Sequence, residues 1–268
     1  MAGGGRDRVA AVVGRDRAIV WAGVLGLAAL AWGYLIHLHR GMGAAPGGGM
    51  GTMSGMGPVL APWTGTDALV TLAMWVVMMV AMMLPSAAPV ILLFATVNRR
   101  RCEQGGVAVP TAVFVLAYLL MWGAFSVAAT GAQWGLQTVA LLSPAMATTS
   151  PVLGGVLLIA AGVYQLTPLK AVCLARCRSP LGFLMTEWRE GVKGALRMGV
   201  RHGTYCLGCC WVLMTLLFAA GVMNLLWVAA ITAFVLLEKV APGGVWIGRV
   251  ASAAMILGGL TVLAGLGA

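Results

Sequence analysis

Charge is what this chain has least of. Only 9% of its residues are charged, and acidic side chains number 7 in 268 positions. Soluble globular domains carry about 25% charged residues, so with 61% apolar residues and a mean hydropathy of +0.96 a water-soluble globule is excluded. The sequence also has no Walker motif, no dinucleotide fingerprint followed by an acidic residue, no His-Glu-x-x-His helix and no Ser-His-Asp set. Classical ATP-driven transport by this chain alone falls away with them. No internal repeat is visible, which leaves a transporter of inverted halves unsupported.

What is present is a series of charge-free stretches: Ala18 to Ile36, Ala68 to Asn98, Gln104 to Leu169, His202 to Leu237 and Val250 to Ala268. One membrane crossing needs about 20 apolar residues. The third stretch therefore holds two helices, with breaks at Gly131, Ser143-Pro144 and Ser150-Pro151. The fourth also holds two, turning near Gly221 to Asn224. The expectation is an all-α, polytopic transmembrane bundle of about seven spans forming a single transmembrane domain. Its spans fall near residues 19–36, 68–97, 107–130, 151–169, 204–222, 225–240 and 247–266.

The net charge of +10 does not point to nucleic acid, because the basic residues sort by membrane side. With the N-terminus inside, Arg6, Arg8, Arg15 and Arg17 are cytoplasmic, as are Arg99 to Arg101, the seven basic residues from Lys170 to Arg201, and Lys239 and Arg249. Only Arg40 is outside, and the positive-inside rule fixes that orientation. A bacterial cytoplasmic (inner) membrane is the expected location. The apolar stretch of 19 residues after the N-terminal arginines exceeds a usual signal h-region, and reads as a retained helix. Residues 1–18 form a cytoplasmic tail, and residues 41–66 a flexible outer loop rich in glycine and methionine. Residues 170–203 form a basic inner segment whose Phe183 to Met198 stretch has an amphipathic pattern suited to anionic headgroups; a solvated helical linker is the plainer alternative. Pro85 and Pro89 are expected to kink the long second span and free backbone carbonyls in a cavity-lining helix.

Five of the six cysteines fall in two groups at the expected inner helix mouths: Cys173 with Cys177, and Cys206 with Cys209 and Cys210. Residues four apart share a helix face, and His202 lies one turn before Cys206. Four thiolates suit a tetrahedral zinc site, whereas two or three suit Cu(I). Neighbouring Lys170, Arg176, Arg178 and Arg201 would favour the ligating thiolates. Taken singly, a buried cysteine is only a small hydrophobe, and Cys102 reads as an ordinary free thiol. Methionine is the second signal. In the outer loop Met42, Met50, Met53 and Met56 follow His37 and His39, and thioethers bind Cu(I) while hardly binding zinc. Met74, Met78 and Met82 recur every four residues inside the second span, with Met79 and Met83 offset from them. For that ladder, packing is favoured over a metal path; for the outer cluster, copper is favoured. Asp67, Glu238 and Lys239 stand near span ends and are expected to snorkel to the interface.

Three segments carry a family resemblance: Met74 to Ser86, Tyr164 to Pro180, and Tyr205 to Met214. They resemble an uncharacterised bacterial family described as predicted metal-binding integral membrane proteins. The resemblance implies a metal-associated role, with copper handling the assignment attached to similar sequences. Three functions stay open. The first is a copper-binding membrane protein, in which outer His/Met donors capture Cu(I) and inner cysteines receive it for a copper enzyme or chaperone partner. The second is a membrane oxidoreductase, either thiol-disulfide or a subunit of a copper-dependent oxygenase. The third is a structural subunit of a membrane complex, packed through glycine-rich helices against lipid and neighbouring or identical chains.

Overall fold

The structure is a computed structural model that describes residues 3–44, 63–142, 148 and 150–265; side chains of 3–16 and 42–44 lie outside the description. The described residues form helices α1 (Gly3–Ala44), α2 (Gly65–Glu103), α3 (Thr111–Thr138), α4 (Pro151–Gln165), α5 (Pro168–Arg178), α6 (Pro180–Glu187), α7 (Gly191–Ala220), α8 (Leu225–Val240) and α9 (Gly244–Leu263). The chain is all-helical there, as its apolar periodicity requires.

Five helices are long and apolar enough to cross a membrane: residues 17–41 of α1, then α2, α3, α7 and α9. The pair α4 and α5 passes the same test only jointly, and it is bent by 64°. The sequence explains the bend. Pro168 has no N–H with which to extend α4, and Thr167 instead caps a new helix by accepting a hydrogen bond from the Lys170 N–H at 3.3 Å. At 16 residues α8 reaches about 24 Å, less than the roughly 30 Å of a bilayer core. Against seven expected spans, five helices among the described residues, or six with the bent pair, meet the length and composition of a span.

The inner segment also differs from expectation. No single helix covers Phe183 to Met198: α6 stops at Glu187, and α7 starts at Gly191, whose φ of +74° is the left-handed conformation that glycine accepts without strain. Because α7 begins there, it is 30 residues long and extends well beyond the expected 204–222 span. At the other end Gly221, with φ +92°, turns the chain into α8 near the expected position.

Helix α2 runs through the middle, with Trp75, Met78, Met79, Met82, Met83 and Phe94 all buried. Its start is fixed by a capping box between Thr64 and Asp67, so Asp67 works as an exposed cap. Helix α1 packs on α2, α3 on both α2 and α7, and α4 on α9. The last contact depends on close backbone approach. A Cβ on Gly162 would stand 2.6 Å from Ile256 Cγ1 and 2.8 Å from the Ser252 carbonyl oxygen, while Ser252 Oγ donates to the Gly162 carbonyl at 2.7 Å. Gly162→Val should force α4 from α9 and cost about 1–3 kcal/mol, the usual range for overpacking. A lowered thermal midpoint in detergent measures this; an unchanged midpoint would refute the close contact.

Candidate metal centre

Two helices bring the clustered thiols together. On α7, Cys206, Cys209 and Cys210 occupy one face, and all three are buried. On α5, Cys173 and Cys177 follow the Thr-Pro break that turns this short helix against α7. The Cys177 and Cys209 sulfurs are 3.9 Å apart, and those of Cys209 and Cys210 3.3 Å apart. Cys206 lies one turn before Cys209 and Cys210 on the same face, and its carbonyl accepts from the Cys209 thiol at 3.2 Å. Four thiols therefore share one pocket. Cys173 stands a turn away, its sulfur in the space left by Gly208, where a Cβ would come within 2.7 Å of it.

The pocket also holds a cation that the sequence reading placed elsewhere. Lys239, expected to snorkel from the end of α8, is buried, and its Nζ lies 3.0 Å from Cys206 Sγ and 3.0 Å from Ser86 Oγ on α2. Tyr118 on α3 bridges the same sulfur, at 3.2 Å, to the Met83 carbonyl, at 3.0 Å. Glu238 is buried as well. It forms a 2.7 Å ion pair with Lys170, and Arg178 donates to the Glu238 and Ala241 carbonyls at the C-terminus of α8. These contacts bind α5 to α8 and so fix where Cys177 stands.

The basic residues expected to serve the thiols are thus otherwise engaged: Lys170 and Arg178 with α8, Arg201 with Glu187 at 3.0 Å, and Arg176 exposed. Lys239 takes that part. The only hint in sequence was its position at the end of a long apolar run, which snorkelling explains equally well.

His202 is buried one turn before Cys206, its ring against Phe114, Tyr118 and Phe183, and its Nδ1 has no hydrogen-bond partner among the described residues. Met74, Met78 and Met82 are buried on α2. His37 and His39 are exposed on α1, which runs on as helix through position 42. Met50, Met53 and Met56 lie outside the described residues, as does the side chain of Met42.

Counting residues gives the depth. At 1.5 Å per residue, Cys206 lies about 21 Å from the C-terminal end of α7, and Met83 about 27 Å from the start of α2. The thiol pocket is therefore near the far edge of an apolar layer. Beyond it the helices carry Arg101 paired with Glu190 at 2.6 Å, and Arg201 paired with Glu187.

A tetrahedral thiolate site with metal–sulfur bonds of about 2.3 Å has sulfurs about 3.8 Å apart, close to the Cys177–Cys209 spacing. In their present rotamers, however, no three His, Cys, Asp or Glu side chains among the described residues are arranged to hold a metal ion. Cu(I) accepts two sulfurs, which is a lesser demand.

Comparison with known proteins adds one finding. No curated protein and no solved structure matches the chain. Residues 72–262 match the family model PpoB2, described as a copper chaperone, and this region contains all the residues named at the thiol pocket, from Met83 to Lys239. As the match covers more than two thirds of the 268 residues, the chain belongs to the PpoB2 copper chaperone family.

Proposed function

We propose that the protein is embedded in a bacterial inner membrane, N-terminus inside, and holds Cu(I) at Cys177, Cys206, Cys209 and Cys210 for delivery to a copper protein. The observation that carries this reading is a set of four buried thiols on facing helices with one buried ammonium group among them. Formal charge separates the candidate metals. Cu(I) with two thiolates is a monoanion, and Lys239 beside it makes the site neutral. Zn(II) with four thiolates is a dianion, which leaves one uncompensated negative charge after Lys239. Isolated charges are costly to bury, so the pocket favours Cu(I).

Transfer then proceeds by ligand exchange without redox change. A thiol of the receiving protein gives up its proton as its sulfur bonds to Cu(I), one pocket sulfur lets go, and the freed cysteine takes up a proton. Capture from the other side by His37, His39, Met42, Met50, Met53 and Met56 extends the same reading. Thioether and neutral imidazole donors bind Cu(I) without losing a proton.

Anaerobic loading of the detergent-purified protein with Cu(I) tests the proposal. The expected result is at least one tightly held copper per chain, lost when Cys177, Cys206, Cys209 and Cys210 are all changed to serine and retained in Cys102→Ser. Tight copper that survives the fourfold change would overturn it.

A further inference from the structure

A cavity of about 420 Å³ lies where α5, α8 and α9 meet the end of α4, and its walls include Gln165, Lys170, Arg178, Glu238 and Arg249. Adjacent residues of α8 set its depth. Glu238 lines this cavity while Lys239 reaches Cys206, so cavity and thiols lie at one level, at the far edge of the apolar layer. Trp246, exposed on α9 with the Arg249 guanidinium 5.2 Å over its ring, suits the same interface.

Charge is unbalanced in this cavity. Lys170 and Glu238 neutralise one another at 2.7 Å. Arg178 donates to backbone carbonyls at the end of α8, Arg249 rests on Trp246, and among the described residues neither guanidinium has a carboxylate partner. Two positive charges are left over. The Gln165 carboxamide has no hydrogen-bond partner among the described residues for its nitrogen or its oxygen, a cost that a bound polar group removes. The cavity also meets an apolar groove. Thr167 borders both, and from it the groove follows one face of α4 through Val163, Ala160, Ile159 and Val156. Val156 stands about 16 Å along the helix from Thr167, and Val156 and Val163 are half exposed.

We propose that the cavity and the groove together bind one anionic phospholipid of the inner leaflet, its phosphate among Arg178, Arg249 and Gln165 and an acyl chain along α4. This rests on the membrane reading above and not on copper. Guanidinium forks match phosphate oxygens, and basic pockets between transmembrane helices on the inner side suit anionic headgroups. An anionic headgroup offsets the excess charge; a zwitterionic one brings its own ammonium group and offsets none. A free phosphate would serve the basic wall but leave the groove bare. Bound there, the lipid ties α5, which carries Cys173 and Cys177, to α4 and α9.

Thermal unfolding of the delipidated protein in detergent tests this, with dioleoyl phosphatidylglycerol, dioleoyl phosphatidylcholine or inorganic phosphate added, while native mass spectrometry counts retained lipid. Phosphatidylglycerol at ten times its dissociation constant should raise the midpoint by about 3–6 °C; phosphatidylcholine and phosphate should not. Arg249→Gln should weaken phosphatidylglycerol about tenfold or more. Ala160→Trp fills the groove without altering charge and should weaken it as well; both positions are exposed, so the fold should persist. Equal stabilisation by phosphatidylcholine, or undiminished binding in either variant, would overturn the site, and equal stabilisation by phosphate would overturn a lipid as its occupant. The protein with Cys177, Cys206, Cys209 and Cys210 changed to serine should keep the preference, so failure of the copper reading leaves this test intact. Recovery of the chain in the soluble fraction of cells would instead defeat the membrane reading itself.

Discussion

Lys239→Met is expected to raise the dissociation constant for Cu(I) by about ten- to a hundredfold while leaving the fold intact. A hydrogen bond to a charged group contributes about 1.5–3 kcal/mol, and each 1.4 kcal/mol is tenfold in affinity. Lys239 Nζ stands 3.0 Å from Cys206 Sγ, buried among the thiol-bearing helices. Removing it takes away the counter-charge of the proposed copper dithiolate anion. The protein itself should tolerate the change. Methionine fills much of the same space, Cys206 can remain a neutral thiol, and Ser86 still donates to the Met83 carbonyl at 2.8 Å. Competition against a chromophoric Cu(I) chelator reads the affinity, and the thermal midpoint reads the fold. Unchanged affinity in a folded variant would show that the ammonium group plays no part in holding the ion.

Glu238→Gln should have the largest effect on stability. The Lys170–Glu238 pair is 2.7 Å long, and both side chains are almost wholly shielded, at 2% and 3% exposure. Breaking a buried pair by neutralising one partner costs about 3–5 kcal/mol, because the remaining charge stays buried alone. Here that charge is Lys170, in the first turn of α5, which also carries Cys177. Loss of stability and loss of copper should therefore appear together. Replacing both partners by methionine removes the stranded charge, and most of the stability should return. Thermal unfolding in detergent decides between these outcomes; a double variant no better than Glu238→Gln would mean that the glutamate stabilises through something other than its ion pair.

The candidate site was partly legible in the chain. The spacing of Cys206, Cys209 and Cys210 on one helix follows from periodicity alone, and so does that of Cys173 and Cys177. The Thr167-Pro168 dipeptide accounts for the break that separates α4 from α5, whereas the size of the bend, 64°, is given only by the fold. Charge ends the expected span at residue 204, whereas α7 also runs through Lys193, Arg197 and Arg201, which lie beyond the thiol pocket. Intrahelical hydrogen bonds do not depend on whether the side chains meet lipid or water.

The amino-acid sequence by itself determined that the chain is helical, that its helices are long and apolar enough to cross a membrane, and that soft donors concentrate on a few of their faces. These are local properties, fixed by hydropathy and a 3.6-residue period. Only the tertiary structure decided which faces meet. Lys239 at the thiols, Glu238 on Lys170, and Cys177 beside Cys209 depend on contacts between residues far apart in the chain, and the register of packed helices is settled by the summed fit of many side chains rather than by any single segment.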